Sequence, residues 1–322
     1  MKHCLLAAVA ALSLAIPVAA QDAPPPTAEI PSPGEIAAAA PAKDWVAIAP
    51  SDLLVMDLAP AAKGKKAPVR RVVIQLMPAP FSQGWIGNIR KLAAAHWWDG
   101  TSINRVQDNY VTQWGDATEK KPLPPGLATM PESDYVAPEP EDRFLPLFQV
   151  NDPYAGAITL YKGWPLGFGP AKDDDFNSGQ IYWPLHCYAM VGVGRNLSPD
   201  TGSGAELYTV IGQAPRHLDR NIALVGRVIS GMEHLSSLPR GTGPLGFYED
   251  TKQRVPIASI RIATDLPLAE QPRFEYLSTE SDSFAKYADA RENRRDPFFI
   301  RPAGGADICN IPVPVRAVVA KK

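Results

Sequence analysis

The sequence predicts a mainly β fold, and three segments carry that prediction. Two apolar runs of strand-like composition, Asp52–Leu58 and Val69–Leu76, are joined by a turn rich in glycine and lysine, which is typical of a β-hairpin. A third run, Val255–Ile262, has the same strand-like character. Between them, Phe81–His96 follows a proline and repeats apolar residues at helical spacing, so one helix is expected among the strands.

The N-terminus has the features of an export signal. Lys2 supplies a basic start, Leu5–Ile16 is an apolar run, and Pro17–Ala20 offers small residues for cleavage before Gln21. We therefore expect residues 1–20 to be a signal peptide and the protein to be exported, either periplasmic or secreted, with an uncleaved anchor as the competing interpretation. No later segment approaches the roughly eighteen consecutive apolar residues of a membrane helix, so no span is expected in the mature protein.

The remaining chain divides into a spacer, one domain and an extension. Residues 21–43 are rich in alanine and proline, and we expect a disordered spacer because such a composition cannot bury enough surface to offset the entropy of ordering. Residues 44–264 are assigned to the domain, and residues 265–322 to a C-terminal extension that packs on it. In the extension, a helix ending at Arg294 is expected to turn Phe284, Tyr287 and Ala288 inward, with a serine cap at Ser281 or Ser283.

Residues 117–185 form the main insertion of the domain. They contain eleven prolines between Pro122 and Pro184. Because proline fixes φ and removes a ladder donor, we expect most of this segment not to be sheet. Its many aromatic side chains make it too apolar for a free linker, so we expect extended chain packed across the domain by these rings. Among them are Phe144, Phe148, Tyr154, Tyr161, Trp164, Phe168, Tyr182 and Trp183.

Charge and cysteine content exclude several function classes. The formal net charge is −2 and the pI about 6.2, so no global basic field is available to bind nucleic acid. The five histidines show no metal-ligand spacing, and we expect no metal.

Two cysteines, Cys187 and Cys309, remain after removal of the signal. In an exported protein they form a disulfide or stay as two buried thiols, and both interpretations are open.

Two ordered motifs are the most distinctive features of the chain. The first, within Trp98–Asp116, reads WDGT, then NRV at Asn104–Val106, and then Tyr110, Gln113, Gly115 and Asp116. The second, within Leu207–Ser230, reads HLD at 217–219 and GRV at 226–228. A lone arginine is common on any surface, whereas this ordered set is hard to produce by chance.

The two motifs resemble those of the cyclophilin-type peptidyl-prolyl isomerases, over roughly Asp52 to Ala263. The resemblance implies an eight-stranded antiparallel β-barrel capped by two helices, isomerisation of proline-containing polypeptide substrates, and no cofactor. We expect a monomer. The alternative, from another class of function, is a barrel that serves as a catalytically weak or inactive protein-binding module. An envelope-associated structural protein is a third interpretation.

Carried over residue by residue, the resemblance implies that Arg105 is the catalytic residue. Its guanidinium would donate to the prolyl nitrogen, which gains a lone pair only in the twisted amide. A structural ion pair is the alternative for Arg105, and purely internal hydrogen bonds are the alternative for Gln113. The residues that the resemblance implies for substrate binding are Tyr110, Val111, Gln113, Val191, Gly192, Leu207, Thr209, His217 and Leu218.

The second motif departs from the family at several positions. Thr209 aligns with a pocket phenylalanine, His217 with the pocket tryptophan, Ile222 with a nearby histidine, Leu207 with a glutamine, and Gly192 with an asparagine that meets the substrate backbone. Losing an aromatic wall would cost roughly 1–3 kcal/mol of contact with the proline ring. The alignment therefore predicts a reshaped pocket, and it leaves open a reduced activity, a different preference for the residue before proline, and no activity.

Overall fold

The computed structural model describes residues 30–60, 70–140, 152–172 and 175–318 of the chain. Within these ranges it contains four α-helices: α1 (Pro33–Ala39), α2 (Gln83–Ala94), α3 (Glu233–Ser236) and α4 (Asp282–Glu292). Its strands are β1 (Trp45–Ala47), β2 (Leu53–Leu58), β3 (Arg70–Leu76), β4 (Ser102–Val106), β5 (Val111–Gly115), β6 (Ala137–Pro138), β7 (Ala157–Tyr161), β8 (Trp164–Lys172), β9 (Asp175–Pro184), β10 (Met190–Val193), β11 (Leu207–Val210), β12 (Leu224–Ser230), β13 (Val255–Ile262), β14 (Phe274–Leu277) and β15 (Val315–Ala317). The predicted signal peptide lies outside the described residues.

Eight of these strands close into an antiparallel barrel in the order β10, β11, β5, β4, β13, β2, β3 and β12. The prediction of a mainly β fold with an eight-stranded barrel is confirmed. The expected hairpin is β2 and β3, in which Leu53 lies opposite Gln75 and Leu58 opposite Arg70. The third strand-like run became β13 with the predicted bounds, Val255–Ile262.

Helix α2 covers the barrel with the apolar face that its sequence predicted. Trp85, Ile89 and Leu92 are fully buried, and the Trp85 indole N–H donates to the carbonyl oxygen of Thr201 at 3.0 Å. The helix is shorter at both ends than the predicted Phe81–His96. Ser82 has a φ of 54° and His96 a φ of 55°, and neither value continues an α-helix.

The spacer predicted over residues 21–43 is wrong for its described part, which begins at Ile30 and contains α1. Ser32 and Glu35 form a capping box at the start of this helix. Ala37 packs with Phe284 of α4 in a small core of its own. The composition argument failed because it counted only the segment's own apolar surface, whereas Ala37 and Ala40 are buried against the C-terminal extension.

The insertion 117–185 was expected to contain little sheet, and that expectation is wrong. Strands β6, β9, β8 and β7 form an antiparallel four-stranded sheet. Its prolines stand near strand ends or at an irregularity, where sheets tolerate them: Pro138 is last in β6, Pro165 is second in β8, Pro170 lies at a register shift, and Pro184 is last in β9. The rings that lie in the main core are Tyr161, Trp164, Phe168, Tyr182 and Trp183. Phe144 and Phe148 lie outside the described residues.

The C-terminal extension packs through β14, which pairs with β1 and β15, and through α4. Ser281 caps α4 by accepting from the Phe284 N–H, and the helix ends at Glu292, before the expected Arg294. Phe284, Tyr287 and Ala288 are buried as expected. The structure joins Cys187 to Cys309 in a disulfide, which ties the end of the extension to the segment before β10.

Candidate active site

Arg105 and Gln113 lie directly opposite each other on neighbouring strands β4 and β5. The Arg105 guanidinium donates from Nη1 to Gln113 Oε1 at 2.9 Å and from Nε to the carbonyl oxygen of Leu245 at 2.7 Å. A third hydrogen bond goes to Gln107 Oε1. All three acceptors are uncharged oxygens, so these hydrogen bonds orient the guanidinium without neutralising it.

Aromatic rings flank the same guanidinium. Its central carbon lies 5.7 Å from the centre of the Tyr110 ring and 5.5 Å from that of the Phe247 ring, within the range of cation–π attraction. Arg105 is half-buried, and this burial lowers the pKa of its guanidinium. A partly desolvated cation with N–H groups to spare can bind an electron-rich atom more strongly than a fully hydrated one.

An apolar pocket adjoins Arg105 on the same face of the barrel. Tyr110 and Leu218 pack with the residues that form its base, which are Val111, Tyr208, Val210 and Ile222. His217 is exposed and stacks on Tyr110, with ring centres 6.2 Å apart. The structure therefore brings together Arg105, Gln113, Tyr110, Val111, His217 and Leu218 of the residues that the sequence predicted. An open cleft lined by Arg195, Asn196 and Leu197 continues from Ile222.

The side chains of Leu207, Thr209 and Val191 do not reach this pocket, so their predicted contact with substrate is wrong. Leu207 and Val191 belong to the barrel core, and Thr209, opposite Val191, is fully buried. Side chains alternate between the two faces of a strand, so a one-residue error in alignment moves every side chain to the wrong face. The pairing of Gln113 with Tyr208 shows that Tyr208 faces the pocket.

Tyr208 supplies the aromatic wall that the alignment had placed at Thr209. Its ring lies over Gly192, where a Cβ atom would meet the hydroxyl oxygen at 2.3 Å. Gly192 thus makes room for the tyrosine, which is a different role from the predicted contact with the substrate backbone. Burial raises the pKa of Tyr208 well above its ordinary value, so the hydroxyl keeps its proton.

A buried polar chain holds the Tyr208 hydroxyl from below. His186 Nε2 lies 2.9 Å from this hydroxyl, and His186 Nδ1 lies 2.9 Å from Asp219 Oδ1. Because a carboxylate only accepts, Nδ1 carries the imidazole proton and Nε2 accepts from the tyrosine. Burial lowers the pKa of His186 and keeps the ring neutral. Arg216 completes the chain by donating to Asp219 at 2.5 Å and to Asp152 at 2.8 Å.

Potential metal ligands do not gather at this site. In the described ranges, no group of three or more histidine, cysteine, aspartate or glutamate side chains is arranged to hold a metal ion. Helices in the same ranges are all too short or too polar to cross a membrane.

The family follows from the sequence match. Residues 71–262, more than half of the chain, match the family model described as cyclophilin type peptidyl-prolyl cis-trans isomerase. The chain belongs to this family. It is accordingly a peptidyl-prolyl cis–trans isomerase, and the substrates of such enzymes are proline-containing peptides.

Solved structures agree with this cyclophilin fold. The chain is similar to the cyclophilin AquaCyp293 from Hirschia baltica, with a TM-score of 0.61 and 19% sequence identity over 86% of this chain and 95% of that one. A Cryptosporidium parvum cyclophilin type peptidyl-prolyl cis-trans isomerase, crystallised in the presence of the dipeptide Ala-Pro, covers 65% of this chain and 98% of its own at 11% identity and a TM-score of 0.35. At 19% identity, the likeness to AquaCyp293 shows the fold alone. No curated protein matches the sequence.

Sequence reasoning missed several residues at the site of this cyclophilin. Shifting the alignment of β11 by one residue places Glu206 at the family's glutamine and Tyr208 at its pocket phenylalanine. Both are closer chemical matches than Leu207 and Thr209, so this signal was available. Neither Gln107 nor Phe247 had a comparable signal in the sequence. Phe247 comes from a loop that is distant along the chain and reaches Arg105 only in the folded barrel.

Proposed function

We propose that this cyclophilin isomerises Xaa-Pro bonds of exported polypeptides, with Arg105 as the catalytic residue. The observation that carries the proposal is the half-buried guanidinium of Arg105, held by uncharged acceptors beside an apolar pocket. A guanidinium has five N–H donors, and the hydrogen bonds to Leu245, Gln113 and Gln107 leave others for a ligand.

The reaction requires stabilisation of a twisted amide. The planar Xaa-Pro bond rotates over a barrier of about 18–20 kcal/mol because its nitrogen lone pair is delocalised into the carbonyl. In the twisted state the lone pair returns to the prolyl nitrogen. A donor from Arg105 at that nitrogen interacts with the twisted state and not with the planar one, so it lowers the barrier without tightening substrate binding.

The surrounding residues have binding roles in this proposal. The proline ring enters the pocket of Tyr110, Val111, Tyr208 and Leu218, and Gln113 holds both Arg105 and the substrate backbone. The sequence indicated weaker contact between the pocket and the proline ring, because Thr209 stood where an aromatic wall was expected. Tyr208 at that wall supports the catalytic interpretation over the binding module.

Cis–trans exchange of a short Xaa-Pro peptide tests the activity directly. We expect the protein to accelerate the exchange, measured by exchange NMR spectroscopy without a coupling protease, for several residues before proline. Exchange at the spontaneous rate for every such peptide would contradict the proposal and leave the binding module as the better interpretation.

Export has a separate test. The apolar N-terminal segment and the disulfide between Cys187 and Cys309 both support an oxidising compartment outside the cytoplasm. Protein expressed from the full sequence in a bacterium should begin at Gln21, and its intact mass should rise by two hydrogen atoms on reduction. A mass that includes residues 1–20 would contradict cleavage of the signal, and free thiols at both cysteines would count against export.

A further inference from the structure

A carboxylate that the proposed mechanism does not use lies beside Gln113. Glu206 stands immediately before β11 and accepts from the backbone N–H of Asp116 at 2.7 Å. The side-chain amides of Gln113 and Asn104 lie beside it and act to lower its pKa. Its carboxyl group fills the space at Gly115, where a Cβ atom would come within 1.9 Å of Oε1. The glycine at 115 therefore admits the acid to this position.

Glu206 and Arg105 lie at opposite ends of the same amide. The oxygen of the Gln113 amide accepts from Arg105 Nη1 at 2.9 Å. Its nitrogen lies on the side of Glu206, because a Cβ atom at Gly194 would contact both Gln113 Nε2, at 3.5 Å, and Glu206 Cβ, at 3.0 Å. An amide has one end that accepts and one end that donates, whereas a carboxylate only accepts. An ionised Glu206 therefore selects the orientation in which the NH₂ of Gln113 faces the acid and its oxygen faces Arg105.

The protonated acid also has a partner. Asn104 is buried, and its Oδ1 has no hydrogen-bond donor within the described part of the chain. A protonated Glu206 can donate to such an oxygen. Burial raises the pKa of Glu206 to about 7, and the nearby Asp116 carboxylate acts in the same direction. Glu206 therefore changes its charge close to neutral pH. The charged groups around it are Asp116, which is adjacent, and Arg105, which is on the far side of Gln113.

We propose that Glu206 is a positioning residue of the isomerase site, whose ionised carboxylate orients Gln113 and, through it, Arg105. This inference rests on the proposed role of Arg105. When Glu206 is protonated, its O–H can donate to the oxygen of the Gln113 amide as well as its carbonyl oxygen can accept from the NH₂, so the carboxyl no longer fixes the amide and Gln113 can rotate. The NH₂ then faces the guanidinium, two donors oppose each other, and Arg105 loses one of the contacts that orient it.

The pH dependence of kcat/KM tests this inference. A carboxyl with a pKa of about 7 is roughly nine-tenths protonated at pH 6, so kcat/KM should fall about tenfold from pH 8 to pH 6. In Glu206→Gln, which has a similar shape but does not ionise, this inflection should disappear. An inflection that persists in Glu206→Gln, or a parent profile that is flat over this range, would overturn the inference.

His217→Gln is the matched control, because His217 stacks on Tyr110 at the same site and is also replaced by glutamine. This variant should retain the inflection of the parent, and an inflection that moves with His217 instead would overturn the role of Glu206.

NMR titration of the parent separates this inference from the proposed function. The side-chain NH₂ signals of Gln113 should shift with the same midpoint as the kinetic profile, and no turnover is needed to observe them. If exchange activity is absent while these signals titrate, the proposed function fails and the coupling of Glu206 to Gln113 stands. If activity is present while they do not titrate, the coupling is wrong.

Discussion

Replacing Arg105 with alanine should lower kcat/KM about 100- to 1000-fold, the range typical of removing one pre-organised donor to a developing charge. The structure supports a large effect because Arg105 is half-buried and held by Gln113 and Leu245 at 2.9 and 2.7 Å. The loss should fall on kcat, because the donor interacts with the twisted amide and not with the planar one.

Exchange NMR on an Xaa-Pro peptide measures this effect, and two variants serve as controls. Arg105→Lys keeps the charge but loses the planar fork, so we expect an intermediate rate. Arg295, paired with Asp289 in the C-terminal extension, is the matched arginine away from the site, and Arg295→Ala should keep the parent rate. Unfolding of each variant in urea checks that the fold is intact. An Arg105→Ala protein that folds and exchanges the peptide at the parent rate would remove Arg105 from catalysis.

The half of the site on β4 and β5 could be predicted from sequence because its residues are close along the chain. Arg105, Tyr110 and Gln113 fall within nine consecutive positions, and the motif alone fixes their order and spacing. Two adjacent antiparallel strands then place Arg105 opposite Gln113 with little help from the rest of the fold.

The half of the site on β11 was predicted with the wrong side chains turned toward the pocket. Strand β11 is only four residues long, Leu207–Val210, and all four are buried. Burial on both faces removes the alternation of apolar and polar residues that normally reveals which side chains face the core. Only the pairing of Tyr208 with Gln113 across the strands decides the orientation.

Contacts between distant segments account for the other errors. Helix α1 is stabilised by α4, which follows it by more than two hundred residues, and the sheet of the insertion is anchored by the barrel. Arg227 of β12 makes this anchor by donating to the carbonyl oxygen of Gly163 at 2.6 Å and lying over Trp164. Such pairings leave no periodic signal in either segment alone.

Replacing Asp219 with alanine should lower the free energy of unfolding by about 3–5 kcal/mol, the cost of removing one partner of a buried charged pair. Asp219 accepts from the backbone N–H and the Nδ1–H of His186, both at 2.9 Å, and from Arg216 at 2.5 Å. The variant leaves these donors buried without their acceptor, and Arg216 keeps only Asp152. Urea unfolding at pH 7, with the disulfide intact, measures the change.

Asp108→Ala is the matched control, because Asp108 also binds an arginine, Arg240, at 2.9 Å, but with 79% of its side chain exposed. Solvent screens such a pair, so its loss should lower the free energy of unfolding far less than the loss of Asp219 does. Equal effects of the two substitutions would show that the buried polar side chains beneath Tyr208 add no more to the free energy of unfolding than a surface ion pair does. A large effect of Asp219→Ala alone would mean that the aromatic wall of the pocket rests on polar contacts that contribute far more to stability than a surface ion pair. The hydroxyl of Tyr208 would then be fixed before any substrate arrives.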